Sequence, residues 1–208
     1  MKTVLLPVKD FKDAKQRLAA TLPPDQRADL ARAMLADVLR VLSHARSAER
    51  VVVFTASAQA AEMARSYHFD VVPEQSVAGH SAAVNHMVRE LLPKSSRILS
   101  IAADLPMLEA DDVDFVIENA PEPITIVHSR DGTGTNGILF IPPARIEVEY
   151  GPGSFGRHLS RAAAAGHHGG VLNIPGIAFD IDTADDLTAF ISNPRRNSET
   201  WRFLASMR

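Results

Sequence analysis

Arg97-Ile98-Leu99-Ser100-Ile101-Ala102-Ala103-Asp104-Leu105-Pro106 is the stretch whose reading decides the fold. From Ile98 to Ala102 it is apolar with a single serine, and it does not alternate. That pattern predicts a strand, Arg97 to Ala102, covered on both faces, as in a parallel sheet packed between helices. Asp104 falls just past the strand's carboxyl end, and Pro106 marks a turn. In open α/β sheets this is the edge at which ligands bind.

Working back toward the N-terminus, Ser81 to Leu92 reads as a helix closed by Pro93. Asp70-Val71-Val72 is a short strand, Ala58 to Tyr67 a helix, and Val51-Val52-Val53-Phe54 a strand. Between Asp25 and Ala45, Leu30, Met34, Leu35, Val38 and Leu42 recur at spacings of three and four, one face of a helix. Val4-Leu5-Leu6-Pro7-Val8 is the first strand.

Toward the C-terminus, Asp111 to Asn119 reads as a helix and Ile124 to Val127 as a strand. Ser129 to Gly137 is a polar, glycine-rich loop, followed by the strand Ile138 to Ile141. After the turn Gly151-Pro152-Gly153, Ser154 is placed to cap a helix reaching Ala165. Val171-Leu172 and Phe179 to Asp182 read as strands, and Thr183 caps a helix over Ala184 to Ile191. Residues 193–208 read as a polar C-terminal tail anchored by Trp201 and Phe203. This alternation predicts the α/β class: a three-layer αβα sandwich on a mainly parallel, mixed sheet, with residues 1–208 as a single domain.

Composition narrows the function. A chain of 208 residues, 46% hydrophobic, can bury one sizeable core. The net charge of -3 supplies no basic field for nucleic acid. The absence of cysteine excludes disulfides and thiolate metal sites. The opening VLLPV run lacks the long apolar stretch of a signal peptide, and no segment approaches the roughly 20 apolar residues of a membrane span. A cytoplasmic protein with neither a nucleic-acid nor a membrane partner is expected; its oligomeric state is open, a homodimer included.

Three polar clusters lie at predicted strand ends. Asp104 is one; it suits a magnesium ligand, since magnesium takes hard oxygen donors, though an aspartate before Leu-Pro also suits a plain turn. Asp180 and Asp182 are the second; strand alternation would put both carboxylates on one face, where a cation must offset their repulsion. The alternative is that one of them serves the next helix's N-terminus beside Asp185 and Asp186. The third is Lys9, Lys12, Lys15 and Arg17, either a solvated face or a set of phosphate donors. No glycine-rich phosphate loop of the G-x-x-x-x-G-K-[ST] or G-x-G-x-x-G type is present. The loop Asp131 to Asn136 and the turn before Ser154 could approach an anion through their glycines. His167-His168 has no third ligand at metal-site spacing and reads as a surface turn.

Five motifs carry a family resemblance: PVKDFKDAKQRL (Pro7 to Leu18), ADLPML (Ala103 to Leu108), RDGTGTN (Arg130 to Asn136), GPGSFGRHL (Gly151 to Leu159) and GIAFDIDTADDL (Gly176 to Leu187). In this order, spanning nearly the whole chain, they resemble the CofC/FbiD family, the 2-phospho-L-lactate guanylyltransferases. The resemblance implies a Rossmann-like nucleotidyltransferase fold and magnesium-dependent transfer of GMP from GTP to a small phosphorylated acid. Phosphoenolpyruvate, 2-phospholactate or 3-phosphoglycerate would be the acid, pyrophosphate would be released, and the product would feed deazaflavin coenzyme biosynthesis. By motif, Asp104, Asp180 and Asp182 would hold Mg2+, and Lys9, Lys15 and Arg17 the GTP phosphates, with Asp104, Lys15 and Arg17 catalytic. Glu74, Gly79 and Ser81 would complete the nucleotide site, and Thr135, Gly151 and Ser154 would hold the acid. The chain departs at Gly79 to Val84, where the family's leucine and asparagine are His80 and Ser81.

The implied chemistry matches the residues. A phosphate monoester has its second pKa at about 6, so at neutral pH it is already a nucleophile and needs no general base. Two alternatives stand beside this reading. One is a same-fold enzyme acting on a molybdopterin or sugar phosphate, which usually carries a glycine-rich loop with a lysine after strand one. The other is an inactive nucleotide-binding module, against which Asp104, Asp180 and Asp182 argue.

Overall fold

The computed structural model describes residues 1–74 and 79–207. Among these residues, seven strands form one sheet: β1 (Lys2–Val8), β2 (Arg50–Thr55), β3 (Asp70–Pro73), β4 (Arg97–Ile101), β5 (Ile124–His128), β6 (Thr135–Phe140) and β7 (Gly169–Leu172). Their order is β3-β2-β1-β4-β6-β5-β7. All neighbours are parallel except β6, which runs antiparallel to both β4 and β5. The mixed, mainly parallel sheet matches the expectation.

Strand alternation divides the core into two layers. Val4, Leu6, Val53, Leu99, Val127 and Leu139 face one side. There they meet α1 (Pro24–Leu42), α2 (Ala58–Ser66) and α4 (Ala110–Asn119). Leu5, Val52, Ile98, Ile126, Ile138 and Phe140 face the other, against α3 (His80–Leu91) and α5 (Ser154–Ala164). Burying each such side chain is worth about 1.5–3 kcal/mol, which Ile98, Leu99 and Ile101 supply in β4. A third cluster joins Leu18, Leu30 and Met34 to Leu187 and Phe190 of α7 (Ala184–Ser192).

Four local expectations change, the first being that Thr135 to Gly137, expected in the loop, open β6. Phe179 to Asp182 is irregular rather than a strand; it follows the four-residue helix α6 (Pro175–Ala178). Residues 193–208 are not a plain polar tail: α8 (Glu199–Ser206) packs on α1. The buried Asp37 of α1 accepts hydrogen bonds from Glu199 N (2.8 Å), Thr200 N (2.9 Å) and Thr200 Oγ1 (2.7 Å), satisfying the helix's opening amides. Arg208 lies outside the described residues. Finally, Ser154 is the first residue of α5 and not its cap; Gly153, at φ +72°, occupies the cap position. Thr183 does cap α7, within a capping box closed by Asp186.

Candidate active site

The strand order reverses between β1 and β4, and Lys9, Lys15, Arg17, Asp104, Asp180 and Asp182 collect at that point. Val8 and Ile101 end these two parallel strands, while antiparallel β6 begins at Thr135 on the same edge. Beyond β1 the chain makes two single 3-10 turns, Phe11–Asp13 and Gln16–Leu18. Lys15 stands between them in the left-handed region, φ 53° and ψ 42°. That conformation costs a non-glycine residue about 1–2 kcal/mol. Its side chain is only 5% exposed.

The Lys15 ammonium donates to Asp104 Oδ2 at 2.5 Å and to Asp182 Oδ1 at 2.7 Å. Arg17 Nη1 lies 3.7 Å from Asp182 Oδ2, on a largely exposed side chain. Asp104, Asp180 and Asp182 each offer an oxygen within 4.8 Å of the other two. Three hard oxygen donors at that spacing fit a divalent cation such as magnesium. Asn136 fixes the third carboxylate: its Nδ2 donates to Asp180 Oδ1 at 3.1 Å and to the carbonyls of Ile177 and Ala178 at 3.0 and 3.1 Å.

Electrostatics follow from this geometry. Burial would lower the Lys15 pKa, but Asp104 and Asp182 outweigh it and hold the ammonium well above its ordinary value. Burial would raise Asp182, but Lys15, then Arg17 and Lys9, hold it below the usual carboxylate range. Asp180 is pushed up to about 6 by burial and by the charge of Asp104, with Asn136 opposing.

A cavity of about 440 Å³ opens over this cluster, lined by Lys9, Lys15, Arg17, Asp104, Asp180 and Asp182. Thr135, Asn136, Tyr150, Gly151 and His80 line it as well. The His80 and Tyr150 rings lie tilted, 5.5 Å between centroids. Burial, then the nearby Lys9 charge, lowers the His80 pKa to about 4.

The sequence profile described as "Guanylyl transferase CofC like" matches residues 1–208. The chain belongs to this guanylyl transferase family. A protein named phosphoenolpyruvate guanylyltransferase, from Conexibacter woesei, is 39% identical over 191 residues, covering 89% of this chain and 85% of that relative. One named 2-phospho-L-lactate guanylyltransferase, from Methanothermobacter thermautotrophicus, is 30% identical over 192 residues, covering 92% and 85%. Among solved structures, a proposed nucleotide-diphospho-sugar transferase from Desulfovibrio desulfuricans G20 has a TM-score of 0.81. It is 18% identical, with 99% of this chain and 95% of that one covered, and shares the fold.

For this guanylyltransferase, the cavity brings together eight residues singled out in the sequence: Lys9, Lys15, Arg17, Asp104, Thr135, Gly151, Asp180 and Asp182. Four others lie off its lining. Ser154 is 1% exposed. The amides of Ser154 and Phe155 donate to Gly151 O and Thr133 O, so the α5 N-terminus offers an anion less than expected. Ser81 Oγ accepts from Tyr150 N at 3.0 Å, which ties α3 to the cavity wall instead of reaching into it. Gly79, at φ +90°, opens α3, and Glu74 donates its amide to Thr55 O. Lys12 is exposed, and the RDGTGTN loop is held internally by Asp131, which accepts from Ser129 Oγ, Thr133 N and Thr133 Oγ1.

Asn136, Tyr150 and His158 were not singled out in the sequence. Asn136 closes the RDGTGTN motif, and His158 lies four residues after Ser154 on the buried face of α5. Those placements were the available signals.

Proposed function

We propose that this guanylyltransferase transfers GMP from GTP to a phosphorylated three-carbon acid and releases pyrophosphate, acting as one domain. The observation that carries the reading is the grouping of Asp104, Asp180 and Asp182 with Lys15 at the β1/β4 edge, beside Thr135 and Gly151. Phosphoenolpyruvate is the leading acid, since the 39% identical relative bears that name. Deazaflavin coenzyme biosynthesis in the cytoplasm is the proposed setting; no described helix is long and apolar enough to cross a membrane.

The acceptor's phosphate oxygen attacks the α-phosphorus of GTP. The new P–O bond forms as the bond to the β-phosphate oxygen breaks, and pyrophosphate leaves with that electron pair. With a dianionic nucleophile no side chain has to remove a proton, so the neutral His80 is not needed as a base. Lys9, Lys15 and Arg17 donate to phosphate oxygens and offset charge as it builds on the leaving group. Thr135 and Gly151 line the acid's side of the cavity. The three basic side chains and the three aspartates cancel in formal charge, so a triphosphate needs further positive charge. Mg2+, held by Asp104, Asp180 and Asp182, would supply it by neutralising phosphate oxygens.

The test incubates the protein with Mg2+, GTP and each of phosphoenolpyruvate, 2-phospholactate and 3-phosphoglycerate. Product mass and pyrophosphate release are then read. A guanylylated acid with at least one of them is expected. No product with any acid, or equal turnover with ATP and GTP, overturns the reading.

A further inference from the structure

His158 lies on α5, fully buried, outside the cavity lining. Its Nε2 sits 2.9 Å from Glu149 N. A backbone N–H can only donate, so Nε2 carries a lone pair. A neutral imidazole has one acceptor and one donor nitrogen, and the proton is therefore on Nδ1. Nδ1 lies 2.9 Å from Thr135 Oγ1, and with this tautomer it donates to the hydroxyl oxygen. The Thr135 hydroxyl hydrogen then points elsewhere, and no other described group bonds this hydroxyl. Thr135 lines the cavity beside Gly151.

We propose that His158 is a positioning residue for the acid substrate, its ring fixing the Thr135 hydroxyl as a hydrogen-bond donor toward the cavity. The proposal rests on the reading that Thr135 contacts the acid. A donor aimed at a carboxylate or phosphate oxygen suits such a substrate, whereas a freely rotating hydroxyl presents its lone pairs as readily. Burial, aided by Arg161 and Arg157, lowers the His158 pKa to about 4, so the ring stays neutral at physiological pH. The same ring packs edge-on against Tyr150, 5.7 Å between centroids. One side chain thus sets the start of β6 and the Tyr150-Gly151 wall relative to each other.

A buried histidine could also serve the fold alone. Two substitutions separate these roles. The amide of His158→Asn falls near the position of Nδ1 and keeps a donor for Thr135. The amide of His158→Gln falls near Nε2 and keeps only the Glu149 bond. Steady-state kinetics of both, of Thr135→Val and of the His158→Gln, Thr135→Val double variant, with melting curves, form the test. His158→Gln is expected to raise the acid KM about tenfold, the loss of one hydrogen bond to a charged group, and to leave the GTP KM within about twofold. His158→Asn should stay within about threefold of wild type for the acid, whatever its melting temperature. Thr135→Val should match His158→Gln, and the double variant should add nothing. A wild-type acid KM in His158→Gln, alongside an effect of Thr135→Val, overturns the proposal and leaves the acid site standing. So does a rise in both KM values that tracks lost stability, or full additivity. An unchanged acid KM in Thr135→Val removes Thr135 from the acid site, and the proposal falls with it.

Discussion

The ammonium of Lys15 sits 2.5 Å from the Asp104 carboxylate although 89 residues separate the two in sequence. Parallel pairing of β1 with β4 places both at one sheet edge, and the left-handed backbone at Lys15 lets a residue just past β1 join the cluster. In the free protein this lysine occupies the carboxylates that would hold a metal ion. A cation entering the cluster has to compete with it.

Lys15→Ala should therefore separate metal affinity from catalysis. Without nucleotide, removing the ammonium leaves Asp104 and Asp182 with less compensating charge. Titration calorimetry should find Mn2+ or Mg2+ bound at least about threefold tighter than by wild type, a modest change in local Coulomb energy. Turnover should fall about a hundredfold, the usual cost of losing one donor to developing negative charge. Weaker metal binding together with wild-type turnover would exclude Lys15 from both roles.

Asp104→Asn should lower turnover about a thousandfold, because the amide cannot supply the carboxylate's charge. Stability should change little, since Asp182 still pairs with Lys15. Pyrophosphate release and a melting curve check the two halves. Activity retained at limiting magnesium would take Asp104 out of the proposed metal site.

Gly176→Ala should destabilise the fold at a point that shapes the active site. A Cβ there would fall 2.0 Å from Asp112 Oδ2 and 3.0 Å from Met107 O. Asp112 Oδ2 already accepts from Glu109 N at 2.9 Å, closing the capping box of α4. The methyl must displace that cap or move α6, which leads into Asp180, at about 1–3 kcal/mol. Each kcal/mol lowers the melting temperature by about 2–4 °C in a chain of this size. An unchanged melting temperature would mean that α6 adjusts freely.

The sheet and Asp104 were legible because both follow from one feature, an apolar run ending abruptly in an acid. Asp180 and Asp182 were paired for a reason the structure does not share: strand alternation was expected, and the segment is irregular. They still reach the cluster, because Asn136 and Lys15 hold them, and those contacts span 44 and 167 residues. No local pattern encodes such distances. The same holds for α8, whose opening amides are satisfied by Asp37, more than 160 residues earlier. Ser154 misled because a serine after glycine is the usual cap signal, and here Gly153 takes the left-handed cap position that only glycine adopts cheaply.

The final prediction concerns acid stability. In the folded protein His158 is buried and neutral, its Nε2 accepting from Glu149 N, with a pKa of about 4. In the unfolded chain the ring titrates at about 6.5. Between those values the unfolded state binds more protons, so protonation favours unfolding as the pH falls. The stabilisation from this residue is complete above about pH 6.5, declines through the interval, and is gone below about pH 4. Its full depth is about 3–4 kcal/mol, the two-and-a-half-unit difference at about 1.4 kcal/mol each. His80 carries a similar lowering, so the wild-type slope contains both histidines. His158→Asn removes one. Urea unfolding at steps from pH 7 to about 4.5 should give a variant that starts less stable and loses up to about 2–3 kcal/mol less than wild type over the range. Parallel losses in the two proteins would mean that the His158 ring takes up its proton as readily in the folded as in the unfolded state over this range, against the bond that Nε2 accepts from Glu149 N.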